Sequence, residues 1–153
     1  MAEKNQGDSL IKDQGEESEQ LKINIMAQDV AVLVYKNQLT SLQDTLERFH
    51  IPKYYYSVLS EKDEASCMTY ADGEWSVYYS ERGQKTNLRK AGDITDACYI
   101  LLKDMAEDTN EYHQMLDFFR HQMDDRASIH PTSAELQKAI QTGFAKIAGI
   151  VAL

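Results

Sequence analysis

The chain is poor in the residues on which small secreted proteins and nucleotide-binding proteins depend. Its 153 residues include two cysteines, two prolines and seven glycines. Cys67 and Cys98 lack C-x-x-C spacing and are too few for a disulfide scaffold, which indicates a reducing compartment. The glycines lack the spacing of a phosphate-cradling loop or a dinucleotide fingerprint, and no G-x-S-x-G sequence occurs. We therefore predict a chain that is not an enzyme, with no catalytic residues, no metal ligands and no cofactor.

Long apolar runs are also missing. The longest, residues 30–35 and 147–153, fall far below the roughly 20 residues that a membrane-spanning helix requires. Residues 1–20 carry six acids and two lysines, without the apolar segment of a signal peptide. We therefore expect a soluble, cytoplasmic protein that does not act at a membrane.

Positive charge is scarce as well. There are 16 lysines and arginines against 25 acids, a net charge of −9. An acidic chain repels phosphate backbones and attracts basic proteins, so we expect no nucleic-acid partner. Residues 1–21 combine charge with low hydrophobicity, which predicts a disordered acidic tail. Residues 22–153 have the length of a single domain.

Periodic apolar residues predict helices on both sides of the chain's centre. Apolar positions recur at three- and four-residue steps from Leu39 to Phe49, and Pro52 follows, so we predict a helix that ends near His50. Residues 21–35 fit either a strand or a helix, and we favour a helix. Three more helices are predicted. The first is capped by Asp93 and carries an apolar stripe: Ile94, Ala97, Cys98, Leu101 and Met105. The second follows a break near Thr109-Asn110, and the third begins at the capping box Thr132 to Glu135 and ends at Gly149.

The centre of the chain predicts a sheet. Residues 54–59 and 65–79 are rich in aromatic and small residues, and Asp72-Gly73 is a strong hairpin signal because a type I′ turn needs two residues with positive φ. The predicted fold is α+β, a small antiparallel sheet packed against several helices. The hairpin would pair Tyr70 with Trp75, Met68 with Val77 and Ser66 with Tyr79 on the core face, and would leave Cys67, Thr69, Ser76 and Tyr78 on a face that either a second layer or solvent covers.

Few side chains suggest chemistry. His113, Asp117 and His121 lie four apart on a predicted helix and could bind a transition metal. Their stripe lies opposite the apolar face and has no fourth ligand, so we interpret it as solvated surface. Cys67 and Cys98 are interpreted as buried, inert thiols.

Two features suggest protein binding instead. Tyrosines are consecutive at 54–56 and adjacent at 78–79, so some rings must point away from the core, either as interface anchors or beneath helices. Residues 93–125 hold nine acids against Lys103 and Arg120, which predicts an acidic surface. The basic run of Arg82, Lys85, Arg89 and Lys90 is either solvated or paired with those acidic helices.

Several short motifs between residues 39 and 104 resemble a family of small bacterial immunity proteins. The most specific is W-x-V-Y-x-x-E-R-G at Trp75 to Gly83, followed some fifteen residues later by a helical Ala97-Cys98-Tyr99. Such proteins neutralise the toxins of polymorphic and contact-dependent toxin systems, and the resemblance implies a binding module without catalysis. It carries over no toxin-contacting residues.

We therefore expect a stoichiometric inhibitor of a basic toxin domain, and a nuclease is one toxin class that an acidic surface would suit. The alternatives are an adaptor with a non-toxin partner, and a metal-binding hydrolase or sensor that uses His113, Asp117 and His121. The residues expected to bind a partner are Asp72, Glu74, Tyr78, Glu81, Arg82, Asp104, Glu107, Asp108 and Glu111.

Overall fold

The structure is a computed structural model that describes residues 30–128 and 131–152. Its strands are β1 (Tyr56–Val58), β2 (Ala65–Ala71), β3 (Glu74–Glu81) and β4 (Gln84–Ala91), and they form one sheet in chain order. Its helices are α1 (Lys36–Arg48), α2 (Ile94–Met105), α3 (Thr109–Asp125) and α4 (Ser133–Ala152), with a helical stretch at 30–34 and a 3-10 turn at Lys53–Tyr55. The α+β fold is confirmed. The predicted tail at residues 1–21 lies outside the described residues.

The hairpin of β2 and β3 is confirmed in its turn and its register. Asp72 and Gly73 have φ of 55° and 77°, the left-handed values that the turn needs. The pairs Tyr70 with Trp75, Met68 with Val77 and Ser66 with Tyr79 all form. The W-x-V-Y sequence therefore lies on β3, at the centre of the sheet.

The sheet is mixed, which differs from the antiparallel sheet expected. The edge strand β1 runs parallel to β2, with Tyr56 opposite Ser66. Parallel neighbours usually need a crossover of a dozen or more residues, but β1 is three residues long and the chain returns through residues 59–64 alone. The direction of the chain changes at Leu59 and Glu64, whose φ values are 69° and 56°.

The core lies between one sheet face and the helices. The α2 stripe packs on this face, and Ala97, Cys98 and Leu101 are fully buried, as predicted. Trp75 lies at one end of the core, where the centre of its ring is 5.8 Å from that of Tyr35 and 4.9 Å from that of Tyr70. Helices α1 and α3 complete the core through Leu42, Leu46, Leu116 and Phe119.

The opposite sheet face is covered by the segment between β1 and β2. The backbone N–H and carbonyl of Lys62 each lie 3.4 Å from the Cys67 thiol, and the Lys85 ammonium lies 4.7 Å from the centre of the Tyr78 ring. Tyr78 is only 2% exposed. The expectation that Tyr78 contacts a partner is therefore wrong for the folded chain, because its ring is covered by the chain itself.

The helix ends follow local hydrogen bonds. The Asp93 carboxylate accepts from the N–H of Asp96 and caps α2, and Thr132 and Glu135 form the predicted capping box. The break before α3 lies at residues 106–108, slightly earlier than expected, because Asp108 is the cap. Helix α4 continues through Gly149 instead of ending there, and a glycine inside a helix costs only about 1 kcal/mol.

Candidate partner-binding surface

The expected partner-binding residues fall into two groups on the structure. Asp72 and Glu74 lie at one end of β3, whereas Glu81 and Arg82 lie at the other end and are exposed. Eight residues of strand separate these ends by about 23 Å. Glu74 also pairs with Lys90 at 3.1 Å. The hairpin residues therefore do not form one compact site.

Asp104 is held by an arginine of the sheet. The Arg89 guanidinium donates to its two carboxylate oxygens at 2.8 and 2.7 Å, a bidentate pair that joins β4 to α2. This hydrogen bond to Asp104 raises the pKa of Arg89 above its ordinary value. Of the two readings of the basic run, pairing with an acidic helix is thus observed at Arg89.

Asp108 and Glu111 stabilise the start of α3. The Asp108 carboxylate accepts from the N–H of Glu111 at 2.8 Å, and the Glu111 carboxylate accepts from the N–H of Glu107 at 3.1 Å. The first bond satisfies a backbone donor that the helix leaves unpaired in its first turn, and the second ties the residue before the cap to that turn. The Glu107 carboxylate has no hydrogen bond or ion pair within the described residues, so its charge is available to a partner.

Asp104, Glu107 and Glu111 share one groove. It has a volume of about 380 Å³ and lies between the end of α1, the 3-10 turn and the α2–α3 junction. Its remaining lining is mainly apolar or aromatic: Phe49, His50, Ile51, Pro52, Tyr55 and Met105. We call this feature the acidic groove. It combines the low-polarity walls and the few placed charges that are typical of binding sites.

An exposed pair of tyrosines flanks the acidic groove. Tyr54 and Tyr55 are 62% and 51% exposed, and their ring centres lie 4.5 Å apart. Pro52 begins the 3-10 turn that presents them, whereas Tyr56 enters β1 and packs against the core. A side-chain hydrogen bond with Tyr55 raises the pKa of Tyr54 above its ordinary value, so the Tyr54 phenol stays neutral at pH 7. Large, rigid, half-polar rings of this kind are common interface anchors.

The sequence singles out only part of this surface. It marks the acids and the run of tyrosines, but Phe49, Pro52 and Met105 look like ordinary helix-end and loop residues. They become part of a site because the end of α1 and the end of α2 meet. No signal within either segment predicts that meeting.

A larger cavity, about 490 Å³, lies between the start of α1 and the start of α4. Its lining includes Arg126, whose guanidinium is already occupied by Asp44, Ser41 and Gln122. Exposed charges of both signs, Lys36 and Glu135, also line it. This cavity therefore offers no charge preference comparable to that of the acidic groove.

The residues considered for chemistry do not assemble into a reactive centre. His113, Asp117 and His121 are exposed on α3, and the described part of the chain contains no group of three His, Cys, Asp or Glu that could hold a metal ion. Cys98 is fully buried, and desolvation raises the pKa of its thiol to about 12. Burial also raises the pKa of Cys67. The prediction of buried thiols is confirmed, and a protonated thiol is a poor nucleophile.

Comparison with protein-family models, with curated proteins and with solved structures finds no match for this chain. Over the described residues, no helix combines the length and the apolar character that spanning a bilayer requires.

Proposed function

We propose that this chain is a non-catalytic inhibitor that binds a basic toxin domain stoichiometrically in the cytoplasm. Two independent lines support the proposal. The motif from Trp75 to Gly83 resembles small bacterial immunity proteins, and the acidic groove with Tyr54 and Tyr55 has the chemistry of a protein-binding surface. The second line carries more weight, because the Trp75 motif lies on the central strand and serves the core.

The single observation that carries the proposal is the position of the tyrosine pair beside the acidic groove. Negative charge accelerates association with a basic partner, and buried aromatic anchors slow dissociation. Here both kinds of group meet on one face, formed by the 3-10 turn and the α2–α3 junction. If the toxin is a nuclease, this face would cover the basic cleft that normally receives phosphates.

The test is capture of the tagged full-length chain from its host's lysate, with identification of the product of the adjacent reading frame. A basic partner in one-to-one ratio, toxic when expressed alone and harmless when coexpressed, is the expected result. Capture of a partner that is not toxic would favour an adaptor. Folded bait that retains no partner would remove support from both readings.

The face itself is tested with the double variant Tyr54→Ser/Tyr55→Ser. Losing two anchors should weaken binding at least tenfold, because truncating even one hot-spot residue costs about 2 kcal/mol or more. Leu88→Ser is the matched control, because Leu88 is 53% exposed on β4 and is not one of the residues that line the acidic groove. Equal affinities for the two variants would show that the partner binds another surface.

A further inference from the structure

We infer that the acidic groove receives the guanidinium of a single arginine side chain from the basic partner. The inference rests on the proposed function and specifies the chemistry of the contact. Three properties of the acidic groove lead to it: its charge, its walls and its size.

The charge of the acidic groove is unbalanced. Three acids, Asp104, Glu107 and Glu111, are among its lining residues, whereas His50 is the one lining residue, all of them in the described part of the chain, that can carry a positive charge. Asp104 is already paired with Arg89, and one oxygen of Glu111 accepts from a backbone N–H. The Glu107 carboxylate and the second Glu111 oxygen therefore remain as acceptors. Two acceptors on neighbouring side chains suit a group that carries several N–H donors in one plane.

The walls distinguish arginine from lysine. Phe49, Pro52 and Tyr55 give the acidic groove flat, weakly polar surfaces, and the Phe49 ring is held edge-on by Phe118 at 6.3 Å between centres. A guanidinium stacks on such surfaces and is weakly hydrated, whereas an ammonium is strongly hydrated and gains little from them.

Two interactions of this kind occur elsewhere in the chain: a guanidinium bound to a carboxylate, and a guanidinium beside an aromatic ring. Arg89 binds the carboxylate of Asp104 in bidentate fashion, and the Arg120 guanidinium lies 5.3 Å from the centre of the Tyr99 ring. The acidic groove offers the carboxylate and the ring together.

The size admits an extended side chain and excludes a secondary-structure element. A volume of about 380 Å³ is near the lower end of the range for small-molecule sites and is too small for a helix. A partner would therefore insert one residue here, while its surrounding surface rests on Tyr54 and the rim.

The test titrates the full-length chain with three blocked tripeptides, glycine-X-glycine, in which X is arginine, lysine or citrulline, and follows backbone amide shifts. We expect saturable shifts confined to residues 49–55 and 104–111, with arginine at least threefold tighter than lysine. Citrulline, which has the same shape without the charge, should not saturate. Equal response to arginine and citrulline, or shifts elsewhere on the chain, would overturn the inference.

Variants separate this inference from the proposed function. Glu107→Gln removes the free charge without changing shape, and about tenfold weaker arginine-peptide binding is expected. Asp125→Asn is the matched control, since Asp125 is an exposed acid at the end of α3 and does not line the acidic groove. If Glu107→Gln leaves the captured toxin bound as tightly as Asp125→Asn does, whereas Tyr54→Ser/Tyr55→Ser releases it, the inhibitor proposal stands and the arginine inference fails.

Discussion

The ion pair between Arg89 and Asp104 should contribute measurably to stability. Its side chains are 29% and 22% exposed, and two short hydrogen bonds join them. Fully exposed pairs contribute about 0.2–1 kcal/mol, whereas breaking a buried pair costs about 3–5 kcal/mol. With partial burial and bidentate geometry, we expect a coupling energy of about 1.5 kcal/mol.

A double-mutant cycle isolates this coupling energy. The variants Arg89→Met, Asp104→Asn and their combination are unfolded in urea, and the loss of the Arg89 bond to the Asn87 carbonyl cancels in the cycle. The reference cycle uses Glu74→Gln and Lys90→Met, whose native side chains are 56% and 66% exposed, and about 0.5 kcal/mol or less is expected. Coupling at Arg89 and Asp104 no larger than in the reference cycle would refute the argument from burial and geometry.

Three further perturbations follow from local structure. Asp108→Ala removes the cap of α3 and should lower the free energy of unfolding by about 1 kcal/mol in urea titrations, whereas Asp108→Asn should retain most of it. Gly73→Ala places a side chain at φ 77° and should cost about 1 kcal/mol; an unchanged midpoint would contradict the turn geometry. The pKa of the Cys98 thiol rises from 9.0 to about 12 on folding, so the unfolded chain ionises first and stability should fall as pH rises from 9 to 12. A Cys98→Ala variant should show a shallower fall over that window.

Much of the fold could be predicted because its determinants are close in sequence. Asp72 and Gly73 define a turn by themselves, and a two-residue turn determines every pair along β2 and β3. Asp93 and Thr132 cap helices through groups three residues away. In each case the turn or the helix start is determined by one or two residues that the sequence identifies directly.

The remaining features depend on contacts between distant segments. The parallel pairing of β1 and the burial of Tyr78 both follow from the path of residues 59–64, which has no distinctive hydrophobic pattern. Sequence ranks Asp104 and Glu107 alike as exposed acids, yet Arg89, fifteen residues away, binds one of them and leaves the other free. The acidic groove exists only because the ends of α1 and α2 meet.

The most direct test of the account is rescue from the toxin by structure-guided variants. The product of the adjacent reading frame, which the proposal expects to be a toxin, is coexpressed with the full chain, with Tyr54→Ser/Tyr55→Ser, or with Leu88→Ser, and cell growth is measured at matched levels of folded protein. The account predicts full rescue by the native chain and by Leu88→Ser, and loss of rescue by the tyrosine variant. Rescue by all three, or by none, would contradict the claim that this face inhibits a toxin.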